Sequence, residues 1–166
     1  MATTTDQAKT QVIAAPGSPQ IVMVREFDAP RELVFRAHME PELLVQWLGP
    51  RQYRMTIDRY EVRDGGTWRY VHSDDAGNAY GFHGVFHGTP SMDGAVQTFE
   101  FEGAPGHVSL DTATFEDLGG RTRVRVNSVF QSVEDRDAMV KSGMESGVTE
   151  GYQRLDELLA RLAKAG

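Results

Sequence analysis

Side chains able to do chemistry are sparse in this sequence. Its 166 residues include five histidines and no cysteine. The missing thiols exclude disulfide frameworks, thiolate zinc sites, iron–sulfur clusters and cysteine nucleophiles together. His83 and His87 stand four apart, but the alternation around them is that of a strand, on which four residues span about 13 Å. Both fall on the wet side of that strand. His72 differs, because it follows Trp68 and Tyr70 at every second position on an otherwise apolar side. It reads as a hydrogen-bonded histidine at a pocket rim or as a polar anchor inside the pocket. His38 and His107 read as surface residues. The run Gly143-Met144-Glu145-Ser146-Gly147 misses the spacing of a GxSxG nucleophile elbow, and no strand precedes it. HExxH, Walker and dinucleotide-binding glycine patterns do not occur. The sequence therefore assigns no catalytic residue, no metal site and no cofactor.

What stands out instead is a set of residues suited to enclosing something apolar. Gly143, Gly147 and Gly151 recur every four residues beside the stripe Met144/Val148/Tyr152. An interior helical glycine costs about 1 kcal/mol against alanine, so the repeat asks for a reason. Small residues can seat a helix closely on a sheet, or they can leave space so that the helix roofs a cavity. The aromatic residues fit either reading, since each alone is ordinary core material and the set together makes pocket walls. The candidate ligand-binding residues are Trp47, Tyr53, Trp68, Tyr70, His72, Phe82, Phe86, Phe99, Met144, Val148 and Tyr152. The turn at Asp93-Gly94 leaves the register of Phe99 and Phe101 open.

The elements that must position these residues follow from periodicity. Ile21–Phe27 is rich in β-branched residues and reads as a strand. Asp28 is placed to cap a short helix over Pro30–His38, with a second short helix over Glu40–Trp47 stopped by Gly49-Pro50. From Tyr53 to Phe130 the period is two, as in Trp68/Tyr70/His72, Tyr80/Phe82/Gly84/Phe86 and Val124/Val126. Glycine-bearing turns fall between the runs, which predicts an antiparallel meander with one dry face. Ser132, three before Asp135, resembles a capping box, and an apolar stripe then runs to the C-terminus as one long helix, with Gly143 a position at which it could break.

Composition sets the class. The chain is 40% hydrophobic and 25% charged, with net charge −7, mean hydropathy −0.42 and pI near 5.2. These values describe a water-soluble globular chain and argue against nucleic-acid binding. No window approaches the roughly 18 apolar residues of a membrane span, so no membrane insertion is expected. Arg121, Arg123 and Arg125 read as a solvated face. Residues 1–20 read as a flexible arm with no secretory signature. A cytoplasmic location is the default, and residues 21–164 read as one ligand-binding domain.

Several runs also carry a resemblance: FDAPRELVFRAHMEPELLVQWLGP (27–50), RDGGTWRY (63–70), GVF (84–86), TFEFEG (98–103), GGRTRVRV (119–126) and GMESGVTEGYQRLDELL (143–159). In this order they resemble the START-like (SRPBCC) superfamily, and more narrowly the bacterial homologues of the heat-shock protein 90 ATPase activator C-terminal domain, over residues 21–163. The resemblance implies an α+β helix-grip fold. In it, a curved antiparallel sheet of about six to seven strands wraps on a long C-terminal helix, with two short helices after the first strand. It implies binding of apolar ligands or, in related proteins, polyketide cyclisation, and it carries over no shared catalytic residue. Gly88 replaces a position usually acidic in that family, and Val148 one where tryptophan is common. Both replacements would enlarge a cavity. The leading expectation is a protein that binds an apolar or aromatic small molecule, lipid or polyketide-like, with a stress-related role. The alternatives are a cyclase/dehydratase-like enzyme without metal, and a co-chaperone-like module with a chaperone partner.

Overall fold

The computed structural model describes residues 10–165. Eight strands form one antiparallel sheet: β1 (Thr10–Ile13), β2 (Gln20–Phe27), β3 (Arg54–Tyr60), β4 (Thr67–Ser73), β5 (Ala79–Ser91), β6 (Gly94–Phe101), β7 (Val108–Asp117) and β8 (Thr122–Phe130). Their order across the sheet is β1-β2-β8-β7-β6-β5-β4-β3. Two short helices, α1 (Arg31–Met39) and α2 (Pro41–Leu44), follow β2, and α3 (Val133–Lys141) and α4 (Met144–Ala165) follow β8. This is the antiparallel meander and final helix that the alternation and the apolar stripe predict, in the curved helix-grip arrangement that the resemblance implies.

The strand count exceeds the expected six to seven because of β1, which lies within the stretch read as a flexible arm. Within that stretch Thr10–Ile13 is a strand and Gln20 opens β2; residues 1–9 lie outside the described residues. Four residues are too few to show a period, and β1 exists because β2 offers a free edge, pairing Thr10 with Arg25 through Ile13 with Val22. Arg136 of α3 fastens the following turn, donating from Nη1 to the carbonyls of Ala15 and Gln20 at 3.0 and 3.1 Å. A second correction concerns Asp28. The N-cap of α1 is Pro30, whereas Asp28 accepts a 2.6 Å bond from Arg121 Nε.

The final helical stretch divides where the glycine suggests. Ser132 caps α3 by accepting from the Asp135 N–H at 3.1 Å, and Gly143 breaks the chain direction at φ +86°, a conformation only glycine adopts cheaply. Gly143 is thus a joint between two helices, so only two of the three glycines bear the helix-interior cost. The second half of α4 places Leu155, Leu158 and Leu159 in the core with Phe27, Val34, Trp47, Phe115 and Val124. Its first half carries Gly147, Val148 and Gly151 and leaves the space beneath it unfilled.

The two remaining glycines differ in what they do. A Cβ on Gly151 would lie 3.2 Å from the Gly49 nitrogen and 3.4 Å from the Trp47 oxygen, both backbone atoms. A Cβ on Gly147 would meet only Pro50, at 3.5 Å. Gly147→Ala is therefore expected to stabilise the protein by up to about 1 kcal/mol through helix propensity. Gly151→Ala should destabilise it, because a backbone loop must move. Thermal melts of the two variants should shift in opposite directions, and equal shifts would refute this assignment.

Candidate functional site

Between the concave face of the sheet and the helices lies a cavity of about 840 Å³. Strand alternation builds most of its wall. On β4, Trp68, Tyr70 and His72 all face inward and are nearly fully buried. Trp68 stacks on Tyr70 at 5.1 Å between ring centroids, and Phe82 of β5 lies 5.4 Å from Tyr70 and 5.5 Å from Phe99 of β6. Phe99 and Phe101 share this inner face, which settles their register. The loop after α2 supplies Trp47 and Tyr53, and α4 supplies Met144, Val148 and Tyr152. Trp47 is fixed by donating its indole N–H to the Ala37 carbonyl at 2.9 Å and by stacking on Tyr152 at 6.1 Å.

Ten of the eleven candidate residues thus surround one space. Phe86 is a correction. It is completely buried and packs edge-on against Tyr60 at 5.5 Å, so it fills the core behind the wall and does not line the cavity. Gly88 is a second correction, being exposed at φ +78° with its N–H donated to Asp64 Oδ1, away from the cavity. Val148 does line it.

The histidines separate by environment. His72 sits against Tyr53, Tyr70 and Phe82 at 5.9, 5.2 and 5.5 Å. Its Nε2 is buried and lacks a hydrogen-bond partner among the described residues. Burial first, and the Arg154 charge second, push His72 down to about 4. At neutral pH it is a neutral imidazole and a weak base, suited to hydrogen bonding more than to proton abstraction. His38, read from sequence as a surface residue, lines the cavity instead. Its ring packs edge-on against Trp47 and Phe115 at 4.8 and 5.1 Å. Nδ1 donates to the Val34 carbonyl at 2.8 Å, and burial pushes the group down to about 4. His83 lies on the outer face with Glu100 and Glu102. Among the described residues no group of three His, Asp or Glu side chains could hold a metal ion.

The floor contains a polar row that the sequence reading missed. Gln97, Asp111 and Ser128 line the cavity from β6, β7 and β8, and the register pairs Gln97 with Asp111 and Asp111 with Ser128. Ser109 donates to Asp111 Oδ1 at 3.1 Å. Burial pushes the Asp111 carboxyl up to about 6, against the opposing effect of hydrogen bonds from Ser128 and Ser109. The available signal was the alternation Ser109/Asp111/Ala113/Phe115, which puts an acid on the same side as Phe115.

A folded-state pKa above the unfolded value means that the native protein binds its proton more tightly. Stability from Asp111 therefore rises as pH falls from about 6 towards 4, and at pH 7.5 the buried carboxylate is a cost. Asp111→Asn is expected to stabilise the protein at pH 7.5 by on the order of 1–3 kcal/mol, with the gain shrinking as pH approaches 4. His38 and His72 act in the opposite sense, but equally in both proteins, so they cancel from the comparison. Urea denaturation at the two pH values measures it, and a gain independent of pH would refute the assignment.

Comparisons with known proteins agree with this architecture. The family model described as "Activator of Hsp90 ATPase homolog 1-like protein" matches residues 28–160. The solution structure of an Arthrobacter aurescens protein is 27% identical, covers 91% of each chain and superposes with a TM-score of 0.83. A Rhodobacter sphaeroides crystal structure, also 27% identical, covers 92% of this chain and 99% of its own with a TM-score of 0.84. An AHSA1 protein of Silicibacter pomeroyi, 20% identical, shares the fold at a TM-score of 0.70, over 89% of this chain and 99% of its own. No curated protein matches the sequence. Among the described residues no helix is long and apolar enough to cross a membrane.

Proposed function

The chain belongs to the Activator of Hsp90 ATPase homolog 1-like family, and on that premise we propose that it binds an apolar or aromatic small molecule between its sheet and its last helix. The observation carrying this reading is the cavity. At about 840 Å³ it falls in the range of pockets that enclose drug-sized ligands, roughly 300–1,000 Å³. Its walls are aromatic, and the half of α4 above it carries Gly147 and Gly151 between Met144, Val148 and Tyr152, where a packed core would place larger apolar residues. Large exposed apolar side chains among the described residues are Ile13, Tyr80, Leu110 and Val140. They belong to four different elements, so they offer less support to a chaperone-docking surface than the interior offers to a ligand site.

Native mass spectrometry of freshly purified protein tests the proposal directly, with a co-purifying molecule as the expected result. A panel of flavonoids, fatty acids and polyketides supplies ligands if the protein purifies empty. Val148→Trp projects an indole into the cavity from α4, and should reduce affinity for a ligand held between α4 and the sheet by at least roughly tenfold. Unchanged affinity in a folded Val148→Trp protein would place the ligand elsewhere.

A further inference from the structure

We infer that Asp111 is the polar anchor of this cavity and selects apolar or aromatic ligands that carry a hydrogen-bond donor, a hydroxyl or a protonated amine, over anionic ones. The inference rests on the cavity being a ligand site and adds the chemistry of the ligand.

Asp111 is placed where a donor on a bound molecule would meet it. It lies on the central strand β7, flanked by β6 and β8, with its side chain on the cavity floor. An ionised carboxylate offers about four lone-pair positions, of which two accept from the Ser109 and Ser128 hydroxyls. No ion pair among the described residues involves Asp111. A buried carboxylate without a cation is expensive, and its burial-raised pKa of about 6 expresses that cost. Packing alone does not require an acid here, since Ala113 and Phe115 continue the same face of β7 with apolar groups. A ligand donor would satisfy the remaining lone pairs, and an ammonium would also balance the charge. A ligand carboxylate would instead bring two anions together in a low-dielectric space. His72 supplies a second polar position on the wall, with its unpartnered Nε2, and as a neutral imidazole it adds no positive charge to attract an anion.

Calorimetric titration at pH 7.5 with four probes of one shape tests this: 2-methylnaphthalene, 2-naphthol, 2-naphthylmethylamine and 2-naphthoate. The naphthol or the amine should bind about tenfold or more tightly than 2-methylnaphthalene, as a hydrogen bond to a charged group allows, and 2-naphthoate should bind most weakly. Asp111→Leu should abolish the preference while leaving 2-methylnaphthalene binding intact, which also reports that the cavity has formed. Asp111→Asn keeps an acceptor but loses the charge, so it should retain part of the naphthol preference and none of the amine preference. If Asp111→Leu does not fold, Asp111→Asn carries the comparison. Equal affinity for all four probes, or a donor preference that survives both substitutions, overturns the inference and leaves the cavity reading standing. Binding of no probe, 2-methylnaphthalene included, overturns both.

Discussion

Asp156→Ala is expected to destabilise the protein by about 3 kcal/mol or more, the lower end of what breaking a buried ion pair costs. Arg25 of β2 is 1% exposed and donates from Nη1 and Nη2 to the two Asp156 oxygens at 3.0 and 2.7 Å. Its Nε donates to Thr10 Oγ1 at 3.0 Å, and the guanidinium lies 4.9 Å from the centre of the Phe27 ring. This one side chain therefore ties together β1, β2 and α4. Removing Asp156 leaves its charge buried without a counter-ion, and that desolvation, more than the lost attraction, sets the size of the effect. Because Asp156 itself is 33% exposed, the lower end of the range applies. The double variant Arg25→Met/Asp156→Leu removes both charges together and should recover much of the loss. Urea midpoints of the single and double variants decide the matter, and a double variant no more stable than Asp156→Ala would rule out the buried-charge account.

Gly84→Ala should be comparably damaging for a steric reason. A Cβ at this position on β5 would stand 1.9 Å from the Thr98 carbonyl oxygen and 2.7 Å from two atoms of the Trp68 indole. The first is backbone of the neighbouring strand and the second is a ring 1% exposed, so neither can yield by rotating a side chain. Alanine would gain roughly 0.4–1 kcal/mol by restricting the unfolded chain. Overpacking costs typically 1–3 kcal/mol and more where backbone is displaced, so the clash wins. For a chain of this length each kcal/mol lowers Tm by about 2–4 °C, and a fall of at least roughly 6 °C is the expected result. Displaced Trp68 would also report through its fluorescence. A Tm within a degree or two of the parent would show that β5 and β6 separate more easily than this geometry implies.

Much of the fold could be read from the chain because its signals are local. Alternation at Trp68/Tyr70/His72 and Val124/Val126, glycine turns and the Ser132 cap each depend on a few adjacent residues, and the strands and the helix start formed where these placed them, whereas the single final helix divides at Gly143. The aromatic cavity wall was legible for the same reason, since inward-facing positions on a strand are set by its own period. Phe86 misled because alternation distinguishes a dry face from a wet one but not the part of a dry face that packs from the part that stays open. His38 misled because a polar residue in a short helix gives no sign of the aromatic rings that later close over it.

By itself, then, the sequence determined an antiparallel meander with one apolar face, two short helices, a final helix with small residues in its first half, and the absence of thiol chemistry. These are properties of composition and of neighbours along the chain. Only the tertiary structure decided that Gly143, Gly147 and Gly151 do three different things: a joint, an opening and a contact with a distant loop. It alone brought Arg25 to Asp156 across 131 residues, and paired Gln97, Asp111 and Ser128 into a polar row under an aromatic space. Those outcomes depend on strand order and helix placement, which come from packing between segments far apart in the chain.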